Sequence, residues 1–525
     1  MVNLQLFRSY KGAQLATADA TNQSGVAAYA FGPQHQLAQM ALTGCLSQTF
    51  YASPQDQLSQ LMEVLAKVDA PFIAKTAIYA RERGYMKDMP ATLAAVLAVR
   101  DVELLAQIFP RVVDNGKMLR NFVQILRSGV LGRKSLGTRP KKLVQQWLLT
   151  ATEKQLLNAA IGSQPSLADV LKMVHPKPQE AWRAAWFAWL IGKPYDEASL
   201  PPITLAFERF KRAVAQGQMP EQVPEVPFQM LTALGLGAQQ WAQIASQGSW
   251  QMLRQNLNTL ARHGVFELPG MAERVAAKLQ DAAAVAKARA MPYQLLSAYQ
   301  AAGQQVPAAV AEALQDAMEL ATANVPQFAG RVAVCPDVSG SMHSSVTGYR
   351  AGATSAVRCI DVAGLMAAAV LRKNREARVL PFECKVVPMS LNGRDSVMTN
   401  ASRLAAVGGG GTNCSAPLKK LADEKAAVDL VILVSDNESW VDGKRVGATA
   451  TMQQWARIKQ RNPAAKLVCI DIQPYATTQA QERADILNIG GFSDAVFDVV
   501  ARFAEGKLGA EHWVGEIEQI LLSAQ

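Results

Sequence analysis

Arg331-Val-Ala-Val-Cys-Pro-Asp337-Val-Ser339-Gly-Ser341 runs from an unbroken apolar segment straight into an aspartate and two serines spaced two residues apart. A strand with one wet face would alternate apolar and polar residues, so this run reads as a strand covered on both faces, as in a parallel sheet. The residues that follow repeat the message. Helix-period segments at 357–372, 415–425, 448–459, 494–503 and 511–522 alternate with strand-like segments at 377–382, 429–435 and 466–472. Strands alternating with helices predict a doubly wound α/β domain over residues 326–525, with its ligands beyond the C-terminal strand ends.

Asp337, Ser339 and Ser341 stand at such a strand end. Thr412 follows the glycine run 408–411, and Asp436 closes the strand 429–435. Carboxylate and hydroxyl oxygens are hard ligands that suit Mg²⁺, or Mn²⁺, better than zinc. Three loops at one edge of a parallel sheet can converge on one octahedral ion. Enzyme chemistry finds less support. An aspartyl phosphatase needs a second carboxylate where Ser339 stands. A P-loop needs a lysine after the glycine run, which ends in Gly411-Thr412-Asn413. A serine hydrolase could use His343 beside Ser341, but the nucleophile-elbow glycine pattern is absent. A degenerate domain without metal remains the bland alternative.

Upstream the pattern changes. From about His35 to Ala321, apolar residues recur at helical spacing, as in Leu58, Leu61, Val64, Leu65 and Val68, with Gly and Pro at the breaks. About a dozen helices without sheet predict a stacked helical-repeat array, although no fixed-period repeat is visible. Trp182, Trp186 and Trp189 fall at i, i+4 and i+7, the spacing of core packing. The chain has 525 residues, of which 50% are hydrophobic and 18% charged, with a net charge of +10. That excess is concentrated: residues 111–142 hold nine basic residues against one acidic. Such a patch is either the footprint of a polyanion partner or a solvated face. The six cysteines are scattered with no metal-ligand spacing, which implies reduced thiols. The N-terminus has no secretory leader pattern and no window reads as a membrane span, so a soluble cytoplasmic protein without a membrane partner is expected.

The Asp-x-Ser-x-Ser motif, the later threonine and the later aspartate resemble the metal-ion-dependent adhesion site of von Willebrand A domains. The resemblance implies that Ser339 and Ser341 ligate directly, and that Asp337, Thr412 and Asp436 ligate directly or through water. A helical-repeat module followed by an A domain further resembles the Ro 60-kDa autoantigen family, in its bacterial Ro-like form, whose N-terminal module is called TROVE. Gly132-Arg-Lys-Ser-Leu-Gly-Thr-Arg-Pro-Lys-Lys142 with Trp147 carries that likeness. So do Ser166-Leu-Ala-Asp-Val-Leu-Lys-Met-Val-His175-Pro-Lys-Pro178, Gly410-Gly-Thr-Asn-Cys-Ser415 and Asp436-Asn-Glu-Ser439. Asn413 departs from the family's usual aspartate, and the loop 158–165 lacks the basic residues of the vertebrate members.

The resemblance implies a multidomain chain: an N-terminal extension (1–34), a HEAT-like helical-repeat ring that binds RNA (35–325) and the A domain (326–525). It implies a non-enzymatic protein of RNA quality control. The partners would be a small noncoding Y-like RNA, single-stranded 3′ ends of misfolded RNA and an exoribonuclease tethered through RNA. The candidate RNA contacts are Arg120, Arg127, Arg133, Lys134, Arg139, Lys141, Lys142, Lys172 and His175. For His175, a helix-terminal histidine ahead of Pro176 is the structural alternative. The competing function is a protein-interaction scaffold whose metal captures a partner's carboxylate.

Overall fold

The computed structural model describes residues 15–288, 292–303, 305–322, 325–349, 357–441, 443, 446–473, 475–509 and 511–523. Residues 1–14 of the expected N-terminal extension lie outside them. The chain divides into two compact units, Met1–Lys67 with Asn324–Glu516, and Val68–Ala323 with Ile517–Gln525.

The first unit is the α/β domain. Short strands β1 (Ala20–Thr21) and β2 (Ala27–Ala30) come from the N-terminal segment. The main strands are β3 (Val332–Pro336), β4 (Arg378–Val379), β5 (Leu430–Ser435) and β6 (Lys466–Asp471), followed by the short β7 (Thr477–Thr478) and then β8 (Ile486–Gly490). The sheet order is β4-β3-β5-β6-β8, and every neighbouring pair is parallel. β3, β5 and β8 are buried at every residue, as their apolar runs require of strands covered on both faces. Ala333, Cys335, Val431, Leu433, Leu467 and Cys469 share one core with residues of the helices Ser415–Asp423 and Ala450–Arg461, where Trp455 is fully buried. The helix Cys359–Lys373 packs on β3, β5 and the helix Val397–Ala405, and all its residues through Leu371 are buried.

The N-terminal segment is part of this unit. β2 lies between β1 and β7, with Tyr29 opposite Thr478. The helix Pro33–Thr43 packs on β8 and on the helix Pro54–Lys67. It comes so close that a Cβ on Gly490 would lie 1.9 Å from Gln39 Oε1. The boundary between the packed units thus falls after Lys67, whereas the sequence division falls after residue 34. The physical reason is that Pro33–Thr43 packs on the sheet and Pro54–Lys67 packs on that helix in turn, although their spacing is indistinguishable from that of repeat helices.

The second unit is helical, with no strand among its described residues, from Ala70–Glu82 to Ala308–Ala321. Local chemistry sets the helix starts: Asp69, Asp101, Asn115 and Ser249 accept from backbone N–H groups of the first turn, and Thr152 and Ser166 form capping boxes. Ala70–Glu82 packs on Val102–Val112, which packs on Thr138–Thr150. Asp88–Arg100 packs on Gly116–Arg127, which packs on Glu153–Ala159. Helices thus alternate between two layers, the arrangement of a repeat array. Trp186 is fully buried with its indole N–H on Thr204, and Trp189 donates to Glu208 at 2.8 Å, so this part of the tryptophan stripe is core.

Candidate functional sites: an oxygen cluster and a basic helical face

Asp337 follows β3, Asp436 follows β5, and Thr412 sits on the loop before Ser415–Asp423. The parallel pairing of β3 with β5 brings the first two together. The glycine run closes the third side: Gly340 N–H donates to Gly410 O at 2.8 Å and Gly409 N–H to Val338 O at 2.8 Å. Gly408, at φ +86°, is pressed on Val338, where a Cβ would lie 2.2 Å from the carbonyl oxygen.

All five sequence-predicted metal residues converge, and none is more than 5% exposed. Thr412 Oγ1 donates to Ser339 Oγ at 2.9 Å, and Ser339 Oγ is 3.4 Å from Ser341 Oγ. Asp337 accepts from Ser339 N–H at 2.8 Å and Ser435 Oγ at 2.6 Å. Asp436 Oδ1 accepts from Glu438 N–H at 3.3 Å, while its Oδ2 is buried with no hydrogen-bond partner among the described residues. Burial, and for Asp337 the facing Asp436, pushes both carboxyls above the usual carboxylate range. No basic side chain pairs with either among the described residues.

Two buried carboxylates without a counter-charge, one orphaned oxygen and three hydroxyls fit a hard divalent cation. Among the described residues no group of three or more His, Cys, Asp or Glu is arranged for a metal. This set, with two carboxylates and three hydroxyls, has a different composition. Asn413, the departure from the family pattern, accepts from Ser415 N–H and Oγ and so closes the start of the following helix. Two neighbours escaped the sequence reading. Glu438 is buried and pushed up to about 8, first by burial and then by Asp436. Tyr51 is pushed up to about 12 by burial and by Asp436, within interaction range of the Ser341 hydroxyl. Glu438 stood inside the noted Asp436-Asn-Glu-Ser439 stretch, whereas nothing local marked Tyr51.

The basic candidates are less uniform. Arg127, Lys134, Arg139, Lys142, Lys172 and His175 are exposed. Arg127 reaches Met173 on the helix Leu167–Val174, and Gln145, from the helix carrying Lys142, donates to Val174 O and His175 O. Arg127, Lys142, Lys172 and His175 therefore stand on adjoining helices. His175 ends its helix in the left-handed region (φ 50°). Lys134, Lys142 and Lys172 make no ion pair among the described residues. Arg139 pairs with Glu103 at 2.9 Å. Lys141 is half-buried, and Arg133 folds back on Ser135 O and Ala98 O. Arg120 is half-buried and braces the carbonyls of Ile161 and Pro165. Its guanidinium is thus engaged in holding the loop 158–165 rather than standing free.

A second cationic group was invisible in the sequence. Lys87, exposed at the start of Asp88–Arg100, has its pKa lowered by desolvation and by Lys117, Arg81 and Arg254. Arg254 lies on Trp250–Arg262, so the array gathers charges from distant helices.

A two-layered helical array with an A-type α/β domain defines the class: helical-repeat proteins fused to a von Willebrand A domain. The family model described as the Ro60 vWA domain matches residues 331–504. Over the whole length the chain is similar to the RNA-binding protein RO60 of Deinococcus radiodurans, at 26% identity over 528 residues, covering 93% of this chain and 95% of that protein. It is 25% identical over 205 residues to the RNA-binding protein RO60 of Caenorhabditis elegans, covering 38% of this chain and 30% of that one. The crystal structure of the Deinococcus radiodurans RO (RSR) protein matches with a TM-score of 0.62 at 24% identity, covering 91% of this chain and all of that one. Residues 331–504 thus match the Ro60 von Willebrand A domain, and the chain shares the fold of the Deinococcus radiodurans RO protein.

Proposed function

We propose that this chain binds RNA without altering it chemically, and that the helical unit does the binding. The observation that carries the reading is the set of exposed cations Arg127, Lys134, Lys142 and Lys172 with His175 in the repeat array. Cations so displayed displace the counterions of the phosphates they bind, so affinity is steeply salt-dependent and indifferent to base sequence. A surface of helix ends, without an aromatic sheet platform, reads RNA by shape and strand state. Lys87 and Lys117 add two further exposed cations. Two relatives named as RNA-binding proteins support the same reading.

The finer reading is a small structured Y-like RNA, single-stranded 3′ ends of misfolded RNA, and a role in RNA quality control with a tethered exoribonuclease, in a reducing cytoplasm. No helix among the described residues is long and apolar enough to cross a membrane. Asp337, Ser339, Ser341, Thr412 and Asp436 would hold Mg²⁺ or Mn²⁺. The ion's positive charge would offset the buried carboxylates and tie three loops together.

The test is the RNA that copurifies with the full chain from its own cells, followed by titration of a structured RNA bearing a single-stranded 3′ tail at several salt concentrations. Enriched structured RNA and a steep salt slope are expected. A protein without RNA whose partner capture is magnesium-dependent and lost in Asp337→Ala would replace this reading with the scaffold. RNA cleavage abolished by Asp436→Ala would overturn its non-enzymatic part.

A further inference from the structure

The five site residues are shielded from solvent. Ser339 and Asp337 are fully buried, and Thr412, Asp436 and Ser341 nearly so. A site that docks an outside carboxylate on its ion needs an open position facing solvent, as sites that bind exogenous ligands at a metal do. The N-terminal segment hydrogen-bonds to the loops that flank this one, at Glu438, Ser439 and Tyr349. Tyr51 is half-buried, with its hydroxyl within interaction range of the Ser341 hydroxyl and the Asp436 carboxylate.

Its position is held from several sides. Gln57 Nε2 donates to Ser47 O at 2.6 Å, and Thr49 N–H to Ala52 O at 3.0 Å. Tyr349 N–H donates to Gln48 O at 2.7 Å, which ties the loop to the segment after the serine motif. The Tyr51 ring meets Tyr475 edge-on, with centroids 6.0 Å apart, and Tyr475 is anchored through its hydroxyl on Gln473. Nearby, Asn22 Nδ2 donates to Ser439 O and Gln23 N–H to Glu438 Oε2, so the same segment also clasps the loop after Asp436. A tyrosine in a loop stitched this way is aimed, and its hydroxyl can both donate and accept.

We propose that Tyr51 is a built-in cap on the oxygen site: its hydroxyl, directly or through one water, takes the side of the ion that an outside carboxylate would otherwise occupy. The proposal rests on the divalent-ion reading above. It makes the ion a clamp between the N-terminal segment and the A domain, closed to carboxylate partners while Tyr51 is in place. Tyr51 is thus a positioning residue for the ion, and its removal opens the docking position.

The experiment uses the full chain stripped of metal, with Mn²⁺ as the probe ion and acetate as the probe carboxylate. Mn²⁺ binding is followed by electron paramagnetic resonance and calorimetry in wild type, Tyr51→Phe and Tyr51→Ala, with thermal melts of the metal-free proteins to verify folding. Wild type is expected to bind Mn²⁺ with no effect of acetate. Tyr51→Phe should bind the ion about tenfold more weakly, the scale of losing a supporting group at a metal. It should also gain acetate binding that depends on Mn²⁺. Mn²⁺ should slow hydrogen exchange of residues 45–52 in wild type and lose that effect in Tyr51→Phe. No Mn²⁺ binding by wild type would overturn the metal reading itself. Mn²⁺ binding indifferent to Tyr51, or acetate binding by wild type equal to that of the variant, would overturn the cap alone. If Tyr51→Ala fails to fold, Tyr51→Phe, which keeps the ring against Tyr475, decides.

Discussion

The oxygen cluster and the basic helical face are opposite solutions to holding charge. Asp337 and Asp436 are buried and lack basic partners among the described residues, so their charge calls for something small that fits inside the fold. Lys134 is exposed on the loop before Thr138–Thr150, and Lys142 and Lys172 on their helices, where water and salt already stabilise them, and their field reaches outward to a large polyanion. A buried site gains specificity from geometry and loses everything when one ligand is removed. An exposed face gains affinity by addition and loses it in increments.

That contrast can be broken in order of expected effect. Asp337→Ala should weaken Mn²⁺ binding by more than about a hundredfold and leave the affinity for a tailed RNA within about twofold, measured on the same preparation by calorimetry and anisotropy. A parallel fall in both would show that the two sites are energetically one. Charge reversal at Arg127, Lys134, Lys142 and Lys172 together should cost about a hundredfold in RNA affinity near 100 mM salt, and flatten the salt slope by roughly 0.7 for each phosphate no longer neutralised. Mn²⁺ binding should not change. An unaltered salt slope would remove the patch from the interface.

The pH response gives a smaller, graded effect. His35 stacks on Phe31 at 4.2 Å and faces Trp513 and His512; burial pushes it down to about 3. Because the folded pKa lies below the ordinary 6.5, the unfolded chain binds more protons between these values, and stability falls as pH drops through that window. Buried Glu438 and Glu482, pushed up to about 8 and 7, titrate in the opposite sense. The informative quantity is therefore the difference between wild type and His35→Gln. Wild type should lose up to about 1.4 kcal/mol per pH unit relative to the variant below pH 6.5, followed by denaturant melts. Smallest is Arg139→Ala. Its pair with Glu103 is exposed on both sides, so stability should change by less than about 0.5 kcal/mol, and RNA affinity by about twofold; a large loss would mean that Arg139 leaves Glu103 for the RNA.

Much of the α/β domain was legible because its signals are local. Apolar runs such as 430–435 can satisfy their side chains only when covered on both faces, and Asp337, Ser339 and Ser341 are contiguous with one of them. The strand Ile486–Gly490 and the helix Val397–Ala405 escaped notice, since a five-residue run and a mixed nine-residue segment carry little periodic signal. The basic stretch 111–142 was legible as charge but not as disposition. Composition cannot tell Lys142, which is exposed, from Arg120, which braces a loop, or Arg133, which folds back on Ala98.

By itself, the sequence determined the two fold classes, the order of the units and the five oxygens of the candidate ion site. The first two depend on periodicity, and the third on short motifs, each contiguous with a strand or a glycine run, whose order matches the A-domain pattern. Tertiary structure alone decided that residues 15–67 pack with the A domain, that Tyr51 comes within interaction range of Ser341 and Asp436, and that Lys87 meets the field of Arg254. These pairings join residues hundreds of positions apart, or about 170 in the last case. Such proximity follows from which apolar faces are buried together, a property of the packed chain that no local window contains.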